Sequence, residues 1–141
     1  MAGELEGRVA LVTGSAGGIG RATAVMLAAM GAALVLLDLK RDTLKDVVHE
    51  IEAMGRRAHA IPIDIQDRAG VRAAIAEAET VLGGIGILVN NAGVGASGPG
   101  ELENIGDADL DRMFGVHVMG AFVAAQAVVP GMKARKWGRI V

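Results

Sequence analysis

Four glycines within Thr13-Gly14-Ser15-Ala16-Gly17-Gly18-Ile19-Gly20 lie between an apolar run, Arg8 to Val12, and a stretch rich in helix formers, Arg21 to Met30. That order predicts a buried strand turning sharply into a helix. Without a Cβ, glycine takes positive φ and lets backbone approach a ligand closely. The free N–H groups and positive dipole of the new helix then attract an anion such as a pyrophosphate. A second apolar run, Ala33 to Leu37, ends on Asp38, 24 residues after Gly14, where a carboxylate would accept hydrogen bonds from the ribose hydroxyls of the same nucleotide. Tight strand-to-helix turns that hold no ligand also use glycine, so the glycines alone fit both readings.

Strand-like and helix-like segments alternate along the whole chain, which predicts an α/β fold with a doubly wound parallel sheet. Leu44, Val47, Val48, Ile51 and Met54 form one inward stripe, and Val71, Ile75, Ala78 and Leu82 another. Ala58 to Ile63 and Ile87 to Val89 read as the third and fourth strands, with Pro62 tolerable on an edge. Asp107, Asp109 and Asp111 open a long helix that runs to Ala134, and Lys133, Arg135 and Lys136 close it, both groups complementing the helix dipole. Right-handed crossovers put strand four beside strand one, so Gly14 and Asn91 flank one crevice. Gly138 to Val141 reads as the opening of a fifth strand, and residues 1–141 are expected to be an N-terminal portion of one domain.

With 52% hydrophobic residues, 21 glycines, two Phe, one Trp and no Tyr, the core must be built from small aliphatic side chains. Net charge is −2 with no basic block, which leaves no electrostatic footprint for nucleic acid and little attraction to an anionic membrane. Without cysteine, disulfides and thiolate metal sites are excluded and a cytoplasmic location is expected. Met1 to Gly7 lacks the basic and apolar regions of an export signal. Val118 to Met132, interrupted by Gln126 and Pro130, is expected to fall short of a membrane span. His49 and His59 have no acidic or histidine companion at ligand spacing, so no metal site is expected.

Asp64-Ile65 after the third strand and Asn90-Asn91-Ala92-Gly93 after the fourth, together with the T-G-x-x-x-G-x-G spacing of Thr13 to Gly20, resemble the short-chain dehydrogenase/reductase family. The similarity continues through Met113-Phe114-Gly115-Val116-His117 and Pro130-Gly131-Met132 to Gly138-Arg139-Ile140-Val141. It implies a Rossmann-type three-layer fold, and an oxidoreductase that exchanges hydride between a nicotinamide dinucleotide and a small alcohol or ketone. On these positions it implies a cofactor loop of Gly14, Ser15, Gly17, Gly18, Ile19 and Gly20, with Asp38 on the adenosine ribose. Asp64 would meet the adenine amino group, the Ile65 N–H a ring nitrogen, and Asn91, Ala92 and Gly93 the nucleoside. NAD is expected over NADP, because a 2′-phosphate would face Asp38. Two charges 4 Å apart at an effective dielectric of 20 interact by about 4 kcal/mol, which Lys40 and Arg41 partly offset.

Alternative readings stand beside several of these. Asp64 also fits a cap for the helix that follows, a place Asp67 could take instead, and Asn90 and Asn91 fit ties between backbone segments. His117 stands where most family members carry an asparagine that holds a relay water behind the catalytic tyrosine. Imidazole suits either a retained proton relay or a hydrogen-bonded residue that fixes the helix. The family's serine, tyrosine and lysine follow the fifth strand, beyond Val141, and neither Ser15 nor Ser97 sits where the family places its serine. The apolar helix through Val116, Val118, Phe122, Val123 and Val128 implies a dimer or tetramer. A non-catalytic dinucleotide-binding sensor or scaffold, or an inactive fragment, is the alternative to an enzyme.

Overall fold

The computed structural model describes residues 3–98 and 100–141. Met1 and Ala2 of the N-terminal stretch, and Pro99 of the glycine-rich stretch Gly93 to Gly100, lie outside the described residues. Strands β1 (Val9–Thr13), β2 (Ala33–Asp38), β3 (Ala58–Pro62), β4 (Ile87–Val89) and β5 (Arg139–Ile140) make one parallel sheet in the order β3-β2-β1-β4-β5. The helices are α1 (Gly18–Ala29), α2 (Arg41–Ala53), α3 (Arg68–Leu82), α4 (Asp107–Phe114) and α5 (Ala121–Arg135). A π-helical turn, Gly115–Gly120, joins α4 to α5 without a break.

Alternation along the strands sorts side chains between the two faces. Val9, Leu11, Val35, Leu37 and Leu88 face α3 and α5, where Val71, Ile75, Ala78, Val123 and Val128 fill the core. Ala10, Val12, Leu34, Leu36 and Ile87 face α1 and α2, where Ala24, Ala28, Leu44, Val47 and Ile51 fill the other. The fully buried residues of α1 are the small Gly20, Ala24 and Ala28, with Leu27 packed beside them, so its backbone lies close to the sheet and its N-terminus is held against the end of β1. Pro62 closes β3, an edge strand, opposite Asp38, where its missing N–H costs no ladder bond.

Two expectations change. The single helix expected from Asp107 to Ala134 contains the π turn, where a Cβ on Gly120 would lie 2.7 Å from Ile65 Cγ1, so the helix bulges against the chain leaving β3. The run Asp107–Arg135 is also long and apolar enough, by length and composition, to cross a membrane, although Val118 to Met132 alone was expected to fall short. Val116, Val123, Ala124, Val128 and Met132 are buried in the core instead. The apolar stripe expected for self-association therefore divides. Val116, Val123 and Val128 point inward, while Val118 and Phe122 join Leu110 and Phe114 on the exposed side.

Candidate functional site

At the C-terminal ends of β1 to β4 the sheet opens into a crevice of two adjoining cavities. One is lined by Thr13, Leu37, Leu39, Ile63, Asp64, Ile65, Gln66, Val94, Arg112 and Val116. The other is lined by Ala16, Gly17, Gly18, Lys40, Thr43 and Asn91, and Gly14, Asp38, Ala92 and Gly93 belong to both. The crevice lies where the strand order reverses about β1, the place at which crossovers leave in opposite directions and the sheet edge stays uncovered.

The glycines divide into two kinds. Gly14 has φ +65°, and a Cβ on it would lie 2.9 Å from Ala92 Cα and 3.0 Å from Asn91 Nδ2. A Cβ on Gly20 would overlap the Gly14 carbonyl oxygen. Packing within the protein therefore requires both. At Gly17 a Cβ would meet nothing within 4 Å, and φ is −164°, which any residue adopts. Among the described residues no neighbour explains the smallness of Gly17. It caps the N-terminus of α1, whose first turn has neither a side-chain cap nor an acidic residue, so its N–H groups are left for an external acceptor.

Around this loop the backbone is stitched by polar side chains. Asp38 Oδ2 accepts the Ala16 N–H at 2.9 Å and Oδ1 accepts the Lys40 N–H at 3.2 Å, and each carboxylate oxygen keeps a lone pair for a further donor. Thr13, buried, accepts the N–H groups of Asn91 and Ala92 on Oγ1 at 3.1 and 3.0 Å. Asn91 Nδ2 returns hydrogen bonds to the carbonyls of Thr13 and Gly14, both at 3.1 Å. The ends of β1 and β4, far apart in sequence, are thus fixed to one another.

Gly14, Gly17, Gly18, Asp38, Asp64, Ile65, Asn91, Ala92 and Gly93 all line the crevice. Ser15 does not. Its side chain is fully buried and its N–H and Oγ both engage the Leu37 carbonyl, which holds the loop on β2. Gly20 acts by close packing, and Ile19 beside it is 78% exposed, a large apolar side chain uncovered where α1 begins. Asp67, not Asp64, caps α3 by accepting the Gly70 N–H at 2.9 Å, while Asp64 Oδ1 accepts the Gln66 N–H at 2.9 Å beside the first cavity. Of the two asparagines, Asn91 carries the backbone ties, and Asn90 Oδ1 is buried without a partner among the described residues. His117 Nε2 lies 3.0 Å from the Val94 N and 2.8 Å from the Val94 O, so it either accepts the Val94 N–H or donates to the Val94 carbonyl according to its tautomer, and in both cases holds Val94 of the segment after β4. His59 does have an acidic companion, since the fold brings Glu77 Oε1 to 2.8 Å from its Nε2, a contact that spacing along the chain hides.

Thr13 and Arg112 are the residues that sequence reasoning passed over. Thr13 was legible as the polar end of an otherwise apolar strand, whereas Arg112 sits among ordinary charged helix positions. The crevice fits a dinucleotide on its own chemistry: unpaired helix donors for phosphate oxygens, Asp38 with open lone pairs for hydroxyls, and an apolar slot of Leu39, Ile63, Ile65 and Val116 for a flat ring.

Fold and crevice together define a nucleotide-binding α/β protein. The chain belongs to the short-chain dehydrogenase family, whose model, described as short chain dehydrogenase, matches residues 8–141. It is 39% identical over 137 residues to 2,3-dihydro-2,3-dihydroxybenzoate dehydrogenase of Bacillus subtilis (strain 168), covering 97% of this chain and 52% of that one. An NAD+-bound xylitol dehydrogenase superposes with a TM-score of 0.90 at 34% identity, covering 97% of this chain and 52% of that chain. A metagenomic short-chain oxidoreductase in complex with NADP gives a TM-score of 0.90 at 35% identity, covering 96% and 61%. The chain spans about half the length of the curated relatives it matches.

Proposed function

We propose that residues 1–141 are the dinucleotide-binding portion of an oxidoreductase that exchanges hydride with a small alcohol or ketone, and that they bind NAD in preference to NADP. The observation that carries this reading is the bare first turn of α1 at Gly17, opening into the same crevice as Asp38, Asp64 and Gly93. Support also comes from family membership and from neighbours bound to NAD+ and to NADP. When bound, the nicotinamide ring supplies the hydride acceptor or donor.

The N–H groups that begin α1 would hold the pyrophosphate, Asp38 the adenosine ribose, and Asp64 with the Ile65 N–H the adenine, in the slot closed by Leu39 and Val116. His117 spends Nε2 on Val94, which supports its role as an anchor of that segment. Any share in a proton relay would fall to Nδ1. The chain contains no tyrosine to serve as the family's proton donor.

Self-association is part of the proposal, supported by the exposed stripe Leu110, Phe114, Val118 and Phe122 along α4, the π turn and α5. A cytoplasmic location is proposed on the absence of cysteine. Calorimetric titration tests the cofactor assignment. Tighter binding of NAD than of NADP is expected, and equal or reversed affinity would show that Lys40 and Arg41 outweigh Asp38.

A further inference from the structure

Between β4 and α4 the described residues of the stretch 90–106 hold only a short 3-10 turn at Leu102–Asn104, so their backbone groups need partners elsewhere. Thr13 on β1 holds the first residues of the stretch, Asn91 and Ala92, and the side-chain tethers on Val94 to Ser97 come from α4 and the π turn. Arg112 Nη2 donates to the Gly95 carbonyl at 2.8 Å and to Ser97 Oγ at 3.1 Å. Asp109 accepts the Ser97 N–H on Oδ2 at 3.0 Å and the Ser97 hydroxyl on Oδ1, which also takes Arg112 Nη2 at 3.1 Å. His117 completes the row on Val94, and Gly93 runs so close to that ring that a Cβ would lie 2.6 Å from Cε1. Arg112 itself lines the first cavity beside Ala92, Gly93, Val94 and Asp64.

We propose that Arg112, oriented by Asp109, is a positioning residue for dinucleotide binding: it fixes the Gly93–Ser97 segment on α4 and so sets the wall against which the adenosine half lies. The proposal rests on the dinucleotide reading above. The two N–H groups of Nη2 are shared among three acceptors on two elements; a lysine ammonium could offer three donors from one point, but on a flexible stem without the planar guanidinium that fixes where they lie. If the segment is free to leave the helix, only a fraction of molecules present a formed wall and the apparent affinity falls by that fraction.

The test titrates the intact chain, its Arg112→Gln, Arg112→Lys and Asp109→Asn forms, and Ser97→Ala as a milder change, with NAD and with ADP-ribose. Thermal midpoints and amide exchange across residues 92–97 are read in parallel. Arg112→Gln is expected to weaken both ligands by roughly tenfold, the scale of one charge-assisted hydrogen bond, with faster exchange in 92–97 and little change in midpoint. Arg112→Lys should recover only part of the affinity, and Ser97→Ala should shift it in the same direction by less. Full affinity with lysine while exchange in 92–97 stays fast would mean that Arg112 acts as a charge and overturn the positioning role. Unchanged affinity in every variant, with the parent chain binding both ligands, would overturn the proposal and leave the dinucleotide reading standing. A parent chain that binds neither ligand would overturn both.

Discussion

At the scale of single residues, Gly14 and Gly17 are identical in sequence and opposite in cause. Gly14→Ala would place a Cβ against Ala92 at positive φ, and the strain of that conformation alone costs about 1 kcal/mol or more. Gly17→Ala meets no neighbour and needs no unusual φ. Chemical denaturation should therefore show Gly14→Ala clearly destabilised and Gly17→Ala near the parent, while NAD binding is lost in both. A Gly17→Ala form that binds NAD normally would remove the phosphate from that turn. Asp38 combines two duties, since the carboxylate expected to meet the ribose also holds the Ala16 N–H. Asp38→Asn keeps one acceptor for that donor and removes the charge, so the preference for NAD over NADP should narrow. Asp38→Ala should weaken both, by roughly tenfold or more for NAD if one hydrogen bond to a charged group is lost. Calorimetry on the two variants separates the charge from the loop contact. Much of this was legible in the sequence, because glycine type and the acid at the end of β2 follow from local backbone needs. The burial of the Ser15 side chain and the use of the Asn91 amide on Thr13 and Gly14 were not, because both depend on which strand lies alongside.

Among the elements, strands and helices were readable because their hydrophobic periods are strong. Their ends shifted by a few residues where caps decide, as at Asp67, which starts α3 at Arg68. The π turn was hidden, since nothing in the local pattern marks it and the tight approach of Gly120 to Ile65 involves another part of the chain. The tethering of the segment after β4 was hidden for the same reason, and it carries a pH signature. Hydrogen bonds from the Ser97 hydroxyl, and then from the Ser97 N–H, hold the Asp109 carboxyl below its ordinary value of 3.8; the Arg112 charge adds to this and partial burial opposes it. A depressed folded value means the tether is fully present above 3.8 and is lost as pH falls through the lowered value. The Ser97 amide resonance should accordingly titrate with a midpoint below 3.8 and stop doing so in Asp109→Asn. A midpoint at or above 3.8 would show that Ser97 does not hold this carboxylate in solution.

For the whole molecule, the sheet order β3-β2-β1-β4-β5 puts the crevice at one end, while Arg8 stacks on Trp137, 3.8 Å from the ring centroid, near the start of β1 and β5. Leu110, Phe114, Val118 and Phe122 leave an apolar stripe outside, which is expected to drive concentration-dependent association in sedimentation. A Phe114→Glu, Phe122→Glu double variant should sediment as a monomer, and a parent chain monomeric at all concentrations would dismiss the stripe as an interface. With no tyrosine in the chain, hydride transfer to NAD from a panel of secondary alcohols should stay far below enzymatic rates, lacking the factor of about 10² to 10⁴ that placed proton transfer supplies. Turnover that disappears in His117→Ala would instead give that imidazole the proton.

Whether NAD occupies the crevice where the strand order reverses is decided by mapping backbone amide shifts of the isotope-labelled chain during an NAD titration. Saturable shifts are expected at Gly14, Ala16, Gly17, Gly18, Asp38, Ile65 and Gly93, with Arg8 and Trp137 unmoved. An unperturbed glycine loop at high NAD, or shifts confined to the Arg8 and Trp137 end, would contradict occupancy of the crevice.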